Sequence, residues 1–288
     1  MDALPSDQSP VEPVPIDGAD DPRVAAFRDI RERELAARTG LFVGETIIVL
    51  EAMLVRPEAV TAVLASGRML GRTRALIEAS GCRAPLYTAS DEVLEAITGI
   101  DLHRGVLATG VRAPFEALAP AAFLARAAPP PRTVLVAEDI TNIDNIGQLF
   151  RIAAAFAADA VLLSPTCHDP LYRKSLRVSI GHALRVPAIR AARWPDDLVL
   201  LREATGAEIV ATAIQSSLPL GEVARAHEAR PPRAVAIVVG HESKGVSPEV
   251  RAIADRIVRI PMAPEVDSLN VAVSAAIALD RLSLGVRR

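Results

Sequence analysis

The chain has 288 residues, half of them hydrophobic, and carries 32 Lys and Arg against 35 Asp and Glu, a net charge of −3. This length is enough for two domains with separate cores, and charges interrupt every long apolar stretch, which argues against a helix that spans a membrane. The N-terminus lacks a signal-peptide pattern, and Cys82 and Cys167 form no CxxC pair, so we expect a cytoplasmic protein with reduced thiols and no metal.

The charge is unevenly distributed. Residues 1–22 contain six acidic residues and no Lys or Arg, so the remainder has 32 basic and 29 acidic side chains. All but two of the basic residues are Arg, which suits bidentate contact with phosphate. The base composition of the gene can equally explain a bias toward Arg and Ala. The charge therefore permits an RNA partner without indicating one.

The N-terminal part predicts a tail followed by a small α/β domain. Residues 1–22, with several prolines among acids, predict a disordered acidic tail, and residues 21–38 have the pattern of an amphipathic helix. Strands are predicted at 40–44, 59–65, 85–88 and 105–112, and helices at 46–54, 69–79 and 90–98. The alternation indicates an α/β domain over 23–112.

A second α/β series follows residues 113–131, which are rich in Pro and Ala and predict a linker with one short helix at most. Strands are predicted at 133–137, 160–163, 207–213, 234–239 and 256–260, and helices at 145–158, 195–204, 248–254 and 269–284. These strands are almost wholly apolar, which is typical of a parallel sheet buried on both faces. The second domain is therefore predicted over 132–288.

Three polar loops follow strands of this second series, where open α/β sheets hold their ligands. The first, after 133–137, contains Asn145, which can cap a helix, and Arg151 near the second helical turn. Helical side chains tilt toward the N-terminus, so Arg151 can project toward the loop. A capped helix with a solvated Arg explains the same residues.

The second loop, Gly240 to Pro248, resembles a phosphate-binding P-loop but has Val246 in place of its Lys. Without that Lys an NTPase is disfavoured. A glycine-bounded turn that carries Glu242 suits a ligand with hydrogen-bond donors or positive charge, although Ser247 also caps a helix starting at Pro248.

The third loop runs from Ile260 to Asn270 and leads into an apolar helix, so we expect Ser268 and Asn270 to be buried and in need of polar partners. One such partner is a small polar ligand. The sequence contains no GxGxxG, no GxSxG elbow and no metal-ligand spacing, which disfavours a nucleotide-binding Rossmann enzyme.

Together and in this order, the three loops resemble the three motifs of the SpoU/TrmH family of SPOUT RNA methyltransferases. Asn145, Gly147 and Arg151 match the first motif, N-x-G-x-x-x-R. The second motif, G-x-E-x-x-G-[LVM]-S, is matched by Gly240, Glu242, Gly245, Val246 and Ser247. The third, I-P-M followed by S-L-N-V-A-V, is matched between Ile260 and Val273.

The resemblance covers roughly 132–288 and implies a C-terminal trefoil-knotted SPOUT domain with a mostly parallel sheet. Residues 23–112 look like the smaller L30e-like domain that binds RNA substrate in such proteins. The family is dimeric, with an active site near the subunit interface, so the resemblance implies a homodimer that acts on RNA.

The reaction that the resemblance implies is methyl transfer from S-adenosylmethionine to a ribose 2′-hydroxyl in tRNA or rRNA. By position in the motifs, the cofactor-binding residues would be Gly240, Glu242, Ile260, Met262, Ser268, Leu269 and Asn270. The catalytic set would be Arg151, Asn145, Glu242, Ser268 and Asn270.

The resemblance implies that Arg151 acts as the base. A guanidinium stays protonated at neutral pH, so it is poorly suited to accept a proton. An electrostatic role is the alternative. His103, Arg104, Arg173 and Lys174 are weaker candidates for RNA contact, since a solvated charged surface explains each one more simply. A non-catalytic RNA-binding or ribosome-assembly factor on the same fold is the second functional hypothesis.

Overall fold

The computed structural model describes residues 11–28, 32–99, 105–266 and 268–285. By contact density the chain divides into two units. The first comprises the chain up to Pro114 together with Leu171–Gly181, and the second comprises Phe115–Pro170 together with the chain from His182. In the described part of the chain, no helix is long and apolar enough to cross a membrane.

The first unit is a five-stranded mixed sheet with helices. Its strands are β1 (Val14–Pro15), β2 (Leu41–Glu45), β3 (Val60–Ser66), β4 (Leu86–Ala89) and β5 (Val106–Val111). Its helices are α1 (Glu32–Thr39), α2 (Ile47–Met53), α3 (Gly67–Ser80), α4 (Asp91–Thr98) and, from the later segment, α7 (Arg173–Val178). The strand order is β1-β4-β3-β5-β2, in which β5 runs antiparallel to β3 and β2. The predicted α/β character of this region is thus observed.

Local signals explain the helix ends in this unit. Ser90 caps α4 by accepting a hydrogen bond from Val93 N at 3.3 Å, and Gly99 ends the helix with a positive φ of 68°. Thr46 accepts a hydrogen bond from Val49 N at 3.4 Å and caps α2.

The predicted disorder of residues 1–22 does not extend through residues 11–22. Val14 and Pro15 pair in parallel with β4, and Ile16 is buried in the core of the unit. Burial of this apolar side chain offsets the cost of ordering the segment. The helix predicted at 21–38 is a 3₁₀ helix over Pro22–Phe27 followed by α1; residues 1–10 and 29–31 lie outside the described residues.

The second unit is built on a seven-stranded sheet in which every strand pairing is parallel. Its strands are β6 (Thr133–Ala137), β7 (Ala160–Leu163), β8 (Ala188–Arg190), β9 (Ala207–Thr212), β10 (Leu218–Pro219), β11 (Ala234–Val239) and β12 (Arg256–Arg259). Its helices are α5 (Pro120–Arg126), α6 (Ile143–Ala155), α8 (Asp196–Thr205), α9 (Leu220–Ala229), α10 (Pro248–Ile253) and α11 (Val271–Leu282). The strand order is β10-β12-β9-β11-β6-β7-β8.

The central strands of the sheet in the second unit are buried on both faces. All residues of β6, β7 and β11 are buried, as their continuous Val, Leu, Ile and Ala composition predicts. The prediction of an α/β fold with a mostly parallel sheet is therefore confirmed. Because β12, β9, β11 and β6 are neighbours, the loops at their C-terminal ends share one edge of the sheet.

The segment predicted as a linker, residues 113–131, belongs largely to the second unit. Phe123 on α5 lies in the hydrophobic core, and Leu118 forms an isolated parallel bridge with Ile189. The prolines that suggested a linker flank the helix, and Pro120 is its first residue, where a missing N–H costs nothing.

Candidate functional site

A cavity of about 150 Å³ lies at the C-terminal edge of the sheet in the second unit. Its walls come from the ends of β9, β11 and β12, the loops after them and the first turn of α11. The lining residues are Thr212, Ala213, Ile214, Gln215, Val239, Gly240, His241, Glu242, Ser243, Lys244, Gly245, Arg251, Ile260, Met262, Ser268, Leu269, Val271 and Ser274. The three strands are adjacent in the sheet, so chain segments distant in sequence meet here.

The loop after β11 is a tight turn that only glycine can build. A Cβ on Gly240 would lie 2.4 Å from main-chain atoms of Gly245 and Val246. Gly245 has a φ of +67°, and its N–H donates to the carbonyl of His241 at 2.7 Å. The turn therefore brings its own main chain close together at Gly240, and its residues His241 to Gly245 all line the cavity.

A buried carboxylate holds the end of this turn. Glu138, which directly follows β6, is 2% exposed and accepts hydrogen bonds from Ser247 N at 2.8 Å and from Ser247 Oγ at 2.6 Å. Its Oε1 also accepts from Trp194 Nε1 at 2.7 Å. Ser247 in turn caps α10, with Val250 N donating to its Oγ at 3.2 Å. Three donors compensate the burial of the charged group.

The loop after β12 differs from its prediction in one respect. Ser268 and Asn270 are exposed, not buried, whereas Met262 and Leu269 are half-buried. Asn270 caps α11 by accepting a hydrogen bond from Ala272 N at 2.9 Å. A capping side chain can be exposed, because the helix terminus requires only its hydrogen bond. The polarity of Ser268 and Asn270 therefore did not imply that they are buried. Asp267 lies outside the described residues.

The first-motif helix is linked to this loop through two asparagines. Asn270 Nδ2 donates to Asn145 Oδ1 at 3.1 Å, and Asn145 is 2% exposed. The prediction that Asn145 caps α6 is wrong, because Asn142 is the cap and accepts from Asp144 N at 2.8 Å and from Asn145 N at 3.3 Å. Asn145 is instead the third helical residue, which turns its side chain inward.

Arg151 lies further along α6 and does not line the cavity. It is exposed, and among the described residues it makes no hydrogen bond or ion pair. It is close enough to His182 to affect it electrostatically, since burial, followed by the charges of Arg185 and Arg151, lowers the pKa of His182 below its usual value. The guanidinium is therefore available to an external anion.

Six of the seven predicted cofactor residues line the cavity, and Asn270 lies beside it as the cap of α11. Of the predicted catalytic set, the structure places Glu242 and Ser268 in the lining and joins Asn145 to Asn270, while Arg151 hydrogen-bonds to none of them. Arg173 and Lys174 begin α7 in the first unit, and His103 and Arg104 lie outside the described residues.

Several lining residues were missed at the sequence level. The segment Thr212–Gln215 follows β9 and was not singled out, and neither were Arg251 and Ser274. The available signal was the position of Thr212 at the end of an apolar strand, the same signal that selected the other loops. Among the described residues, no group of three or more His, Cys, Asp or Glu is arranged to hold a metal ion.

The family model described as SpoU rRNA Methylase family matches residues 132–280 of this chain. An uncharacterized tRNA/rRNA methyltransferase of Mycobacterium tuberculosis strain H37Rv is 38% identical over 266 residues, which cover 90% of this chain and 88% of the relative. The 23S rRNA (guanosine(2553)-2′-O)-methyltransferase RlmP of Bacillus subtilis is 26% identical over 269 residues, 93% of this chain and 98% of the relative.

Solved structures share the fold over nearly the whole chain. The AdoMet-bound rRNA methyltransferase from Sinorhizobium meliloti superposes with a TM-score of 0.75 at 20% identity, covering 93% of this chain and 96% of that one. A crystal structure of an RNA 2′-O ribose methyltransferase gives a TM-score of 0.74 at 26% identity, covering 93% and 98%. The family model matches more than half of the chain, and one relative is 38% identical to it. The chain therefore belongs to the SpoU rRNA methylase family.

Proposed function

We propose that this protein transfers a methyl group from S-adenosylmethionine (AdoMet) to a ribose 2′-hydroxyl in tRNA or rRNA. The observation that carries the proposal is the convergence of the second and third motifs on one cavity, with the first motif tied to the third by the Asn145–Asn270 hydrogen bond. The names of RlmP and of the 2′-O ribose methyltransferase structure support ribose as the target.

The chemical character of the cavity residues suits AdoMet. Ile260, Met262, Leu269 and Val271 offer an apolar wall suited to an adenine ring, and the Gly240 turn presents main-chain hydrogen-bonding groups where a side chain would not fit. The volume of about 150 Å³ is below the roughly 300–1,000 Å³ typical of drug-sized ligands. Part of the bound cofactor would therefore lie outside these walls.

Bound AdoMet would supply a methyl group on its sulfonium; transfer of that group to the ribose 2′-oxygen would leave S-adenosylhomocysteine and release the hydroxyl proton to solvent water. The task of the protein is to hold the reacting atoms in line, which can supply much of the rate. We assign this positioning to the loop residues Glu242 and Ser268 and to the Asn145–Asn270 pair, which fixes α6 relative to the mouth of α11.

Arg151 is proposed to contact a phosphate of the target RNA and to stabilise the developing alkoxide, rather than to act as a base in its cationic form. Its exposure and its lack of a partner among the described residues support this role. Because Arg151 lies outside the cavity of its own subunit, the proposal also invokes a homodimer in which the active site forms near the interface.

Exposed apolar side chains support the homodimer. Among the described residues of the second unit, the large hydrophobic side chains that are exposed are Ile214, Val266 and Val273, at 55%, 44% and 46%. Ile214 lines the cavity, and the other two lie on the loop and the helix that border it. Exposed apolar side chains beside a cleft are compatible with a surface that a second subunit covers.

Two further expectations remain proposals. A trefoil knot in the second unit is compatible with β12 lying between β9 and β10, which both precede it in the chain. The first unit is proposed to be the L30e-like RNA-binding part, with His103, Arg104, Arg173 and Lys174 as candidate phosphate contacts. Arg173 and Lys174 lie together at the start of α7.

The test of the function is transfer of labelled methyl from AdoMet to total tRNA and to rRNA, followed by nuclease digestion to detect 2′-O-methylated nucleotides. Arg151→Ala should lower the rate at least about 100-fold, the scale of losing one electrostatic contact to a transition state. Arg185→Ala, another exposed Arg that acts on His182, should retain activity and is the matched control.

Two results would contradict the proposal. Methylation of a base instead of ribose would overturn the 2′-O assignment. AdoMet binding absent from a folded protein that still binds RNA would favour the non-catalytic RNA-binding alternative. Mapping 2′-O-methylation in cellular RNA with and without the gene would identify the target RNA and nucleotide.

A further inference from the structure

Arg251 is a cation in the cavity wall that no other group of the described chain neutralises. It lies on α10 and is half-buried, and its Nε is shielded from solvent without a hydrogen-bond partner. Among the described residues it makes no ion pair. A buried donor of a charged group that lacks a partner costs free energy, and a bound anion would recover that cost.

The guanidinium of Arg251 lies beside the turn that lines the cavity. Helical side chains lean toward the N-terminus of their helix, and α10 begins directly after the Gly240–Ser247 turn. One guanidinium nitrogen lies 3.6 Å from where a Cβ on Gly245 would be. Gly245 therefore leaves open the space beside this nitrogen, and Arg251 is itself part of the lining.

The charges of the lining match the charges at one end of AdoMet. Apart from His241, the ionisable lining residues are one acid, Glu242, and two cations, Lys244 and Arg251. The methionyl part of AdoMet carries a sulfonium, an ammonium and a carboxylate, of which only the carboxylate is anionic. Glu242 is complementary to the two cationic groups, and a cation in the wall is complementary to the carboxylate.

Of the two cations, Arg251 is the better placed to hold a carboxylate. Lys244 is exposed on the turn, where solvent and salt screen its charge. Arg251 is anchored on a helix, and its planar fork matches a carboxylate in two parallel hydrogen bonds. We propose that Arg251 binds the carboxylate of the methionyl part of AdoMet, an inference that rests on the proposed function.

The experiment is calorimetric titration of the full-length protein with AdoMet and with decarboxylated AdoMet, which lacks only the carboxylate. The wild type should bind AdoMet more tightly than the decarboxylated form. Arg251→Gln should weaken AdoMet binding by about ten- to a hundredfold and leave decarboxylated AdoMet within about twofold, the scale of one charge-assisted contact. The preference for AdoMet would then nearly vanish.

Two variants serve as controls. Lys244→Gln removes the other cation and should keep the preference for AdoMet. Arg251→Lys keeps the charge but loses the fork, so it should restore part of the preference. Thermal unfolding of each variant shows whether it is folded, and Arg251→Lys carries the test if Arg251→Gln does not fold.

Each remaining outcome overturns the inference. If Arg251→Gln weakened the binding of both ligands equally, Arg251 would have a structural role in α10. Loss of the preference in Lys244→Gln alone would assign the carboxylate to Lys244. Unchanged binding of both ligands with weaker binding of RNA would make Arg251 a phosphate contact. Failure of the wild type to bind either ligand would instead remove the proposed function itself.

Discussion

Gly240 occupies a position where any side chain would collide with the main chain of its own turn. The Cβ of an alanine there would lie 2.4 Å from Gly245 and Val246, far inside normal contact, so the turn would have to shift. We expect Gly240→Ala to weaken AdoMet binding at least about tenfold and to cost roughly 1–3 kcal/mol of stability. Calorimetric titration and denaturant unfolding measure the two effects.

Gly221→Ala is the matched control for that variant. Gly221 lies in α9, and the nearest atom to its added Cβ is the end of the Arg225 side chain at 4.0 Å. A helical glycine replaced by alanine without strain should gain about 0.4–1 kcal/mol and leave binding unchanged. Tight AdoMet binding by Gly240→Ala would mean that the turn does not form the cofactor wall.

Residue identity alone did not fix which asparagine caps α6. Asn142 and Asn145 are both strong cap residues, and the helical pattern fits a start at either. The pairing of the buried Asn145 side chain with Asn270, 125 residues away, decides between them and is a tertiary effect. The motif residues were nevertheless identifiable from sequence, because polar residues after apolar strands mark the ligand edge of a sheet.

At the scale of elements, Glu138 joins three parts of the second unit: the end of β6, the start of α10 and the Trp194 side chain. Glu138→Gln replaces one acceptor oxygen with an amide group that faces N–H and O–H donors. We expect a loss of about 2–3 kcal/mol of stability, the cost of breaking charge-assisted hydrogen bonds in a buried site. Denaturant unfolding measures this loss.

The same variant should also weaken AdoMet binding, because Ser247 ends the turn that lines the cavity. Glu228→Gln, an exposed acid on α9, should stay within about 0.5 kcal/mol of the wild type. A Glu138→Gln protein as stable as this control would show that neither the charge of Glu138 nor its second acceptor oxygen contributes net stability.

The continuous apolar strands were predictable, whereas the shortest strands and helix α9 were not. β6, β7 and β11 have the predicted bounds because they are continuous apolar runs ended by polar residues. The strands β8 and β10 have three and two residues, too few to form a periodic pattern. Helix α9 was missed although Leu220, Val223, Ala224 and His227 are buried with the i, i+3, i+4, i+7 spacing of a helix.

At the scale of the whole molecule, the return of residues 171–181 to the first unit could not be inferred from local patterns. Arg177 forms an ion pair with Glu45 at 3.3 Å across a separation of 132 residues. Such a contact depends on tertiary structure, whereas the sequence pattern only indicates a short basic stretch. The division into two units thus differs from the predicted boundary at residue 132, because it places this segment in the first unit and α5 in the second.

The proposed homodimer is testable at this scale. Val273→Glu places a charge on the exposed apolar surface of α11 and should weaken self-association at least about tenfold, because a buried unpaired charge is costly. Sedimentation velocity over a concentration series measures this. Val55→Glu, at a 65% exposed position in the first unit, should leave the dimer intact. A wild type that stays monomeric at high concentration would refute the dimer.

The two cysteines have a practical consequence. Cys82 and Cys167 are 5% and 6% exposed, and burial raises the pKa of both thiols, so neither presents a reactive thiolate at neutral pH. A cysteine introduced at an exposed position would react with a maleimide far faster than either. The natural sequence is thus already suited to site-specific fluorophore or spin labelling, without prior removal of its own thiols.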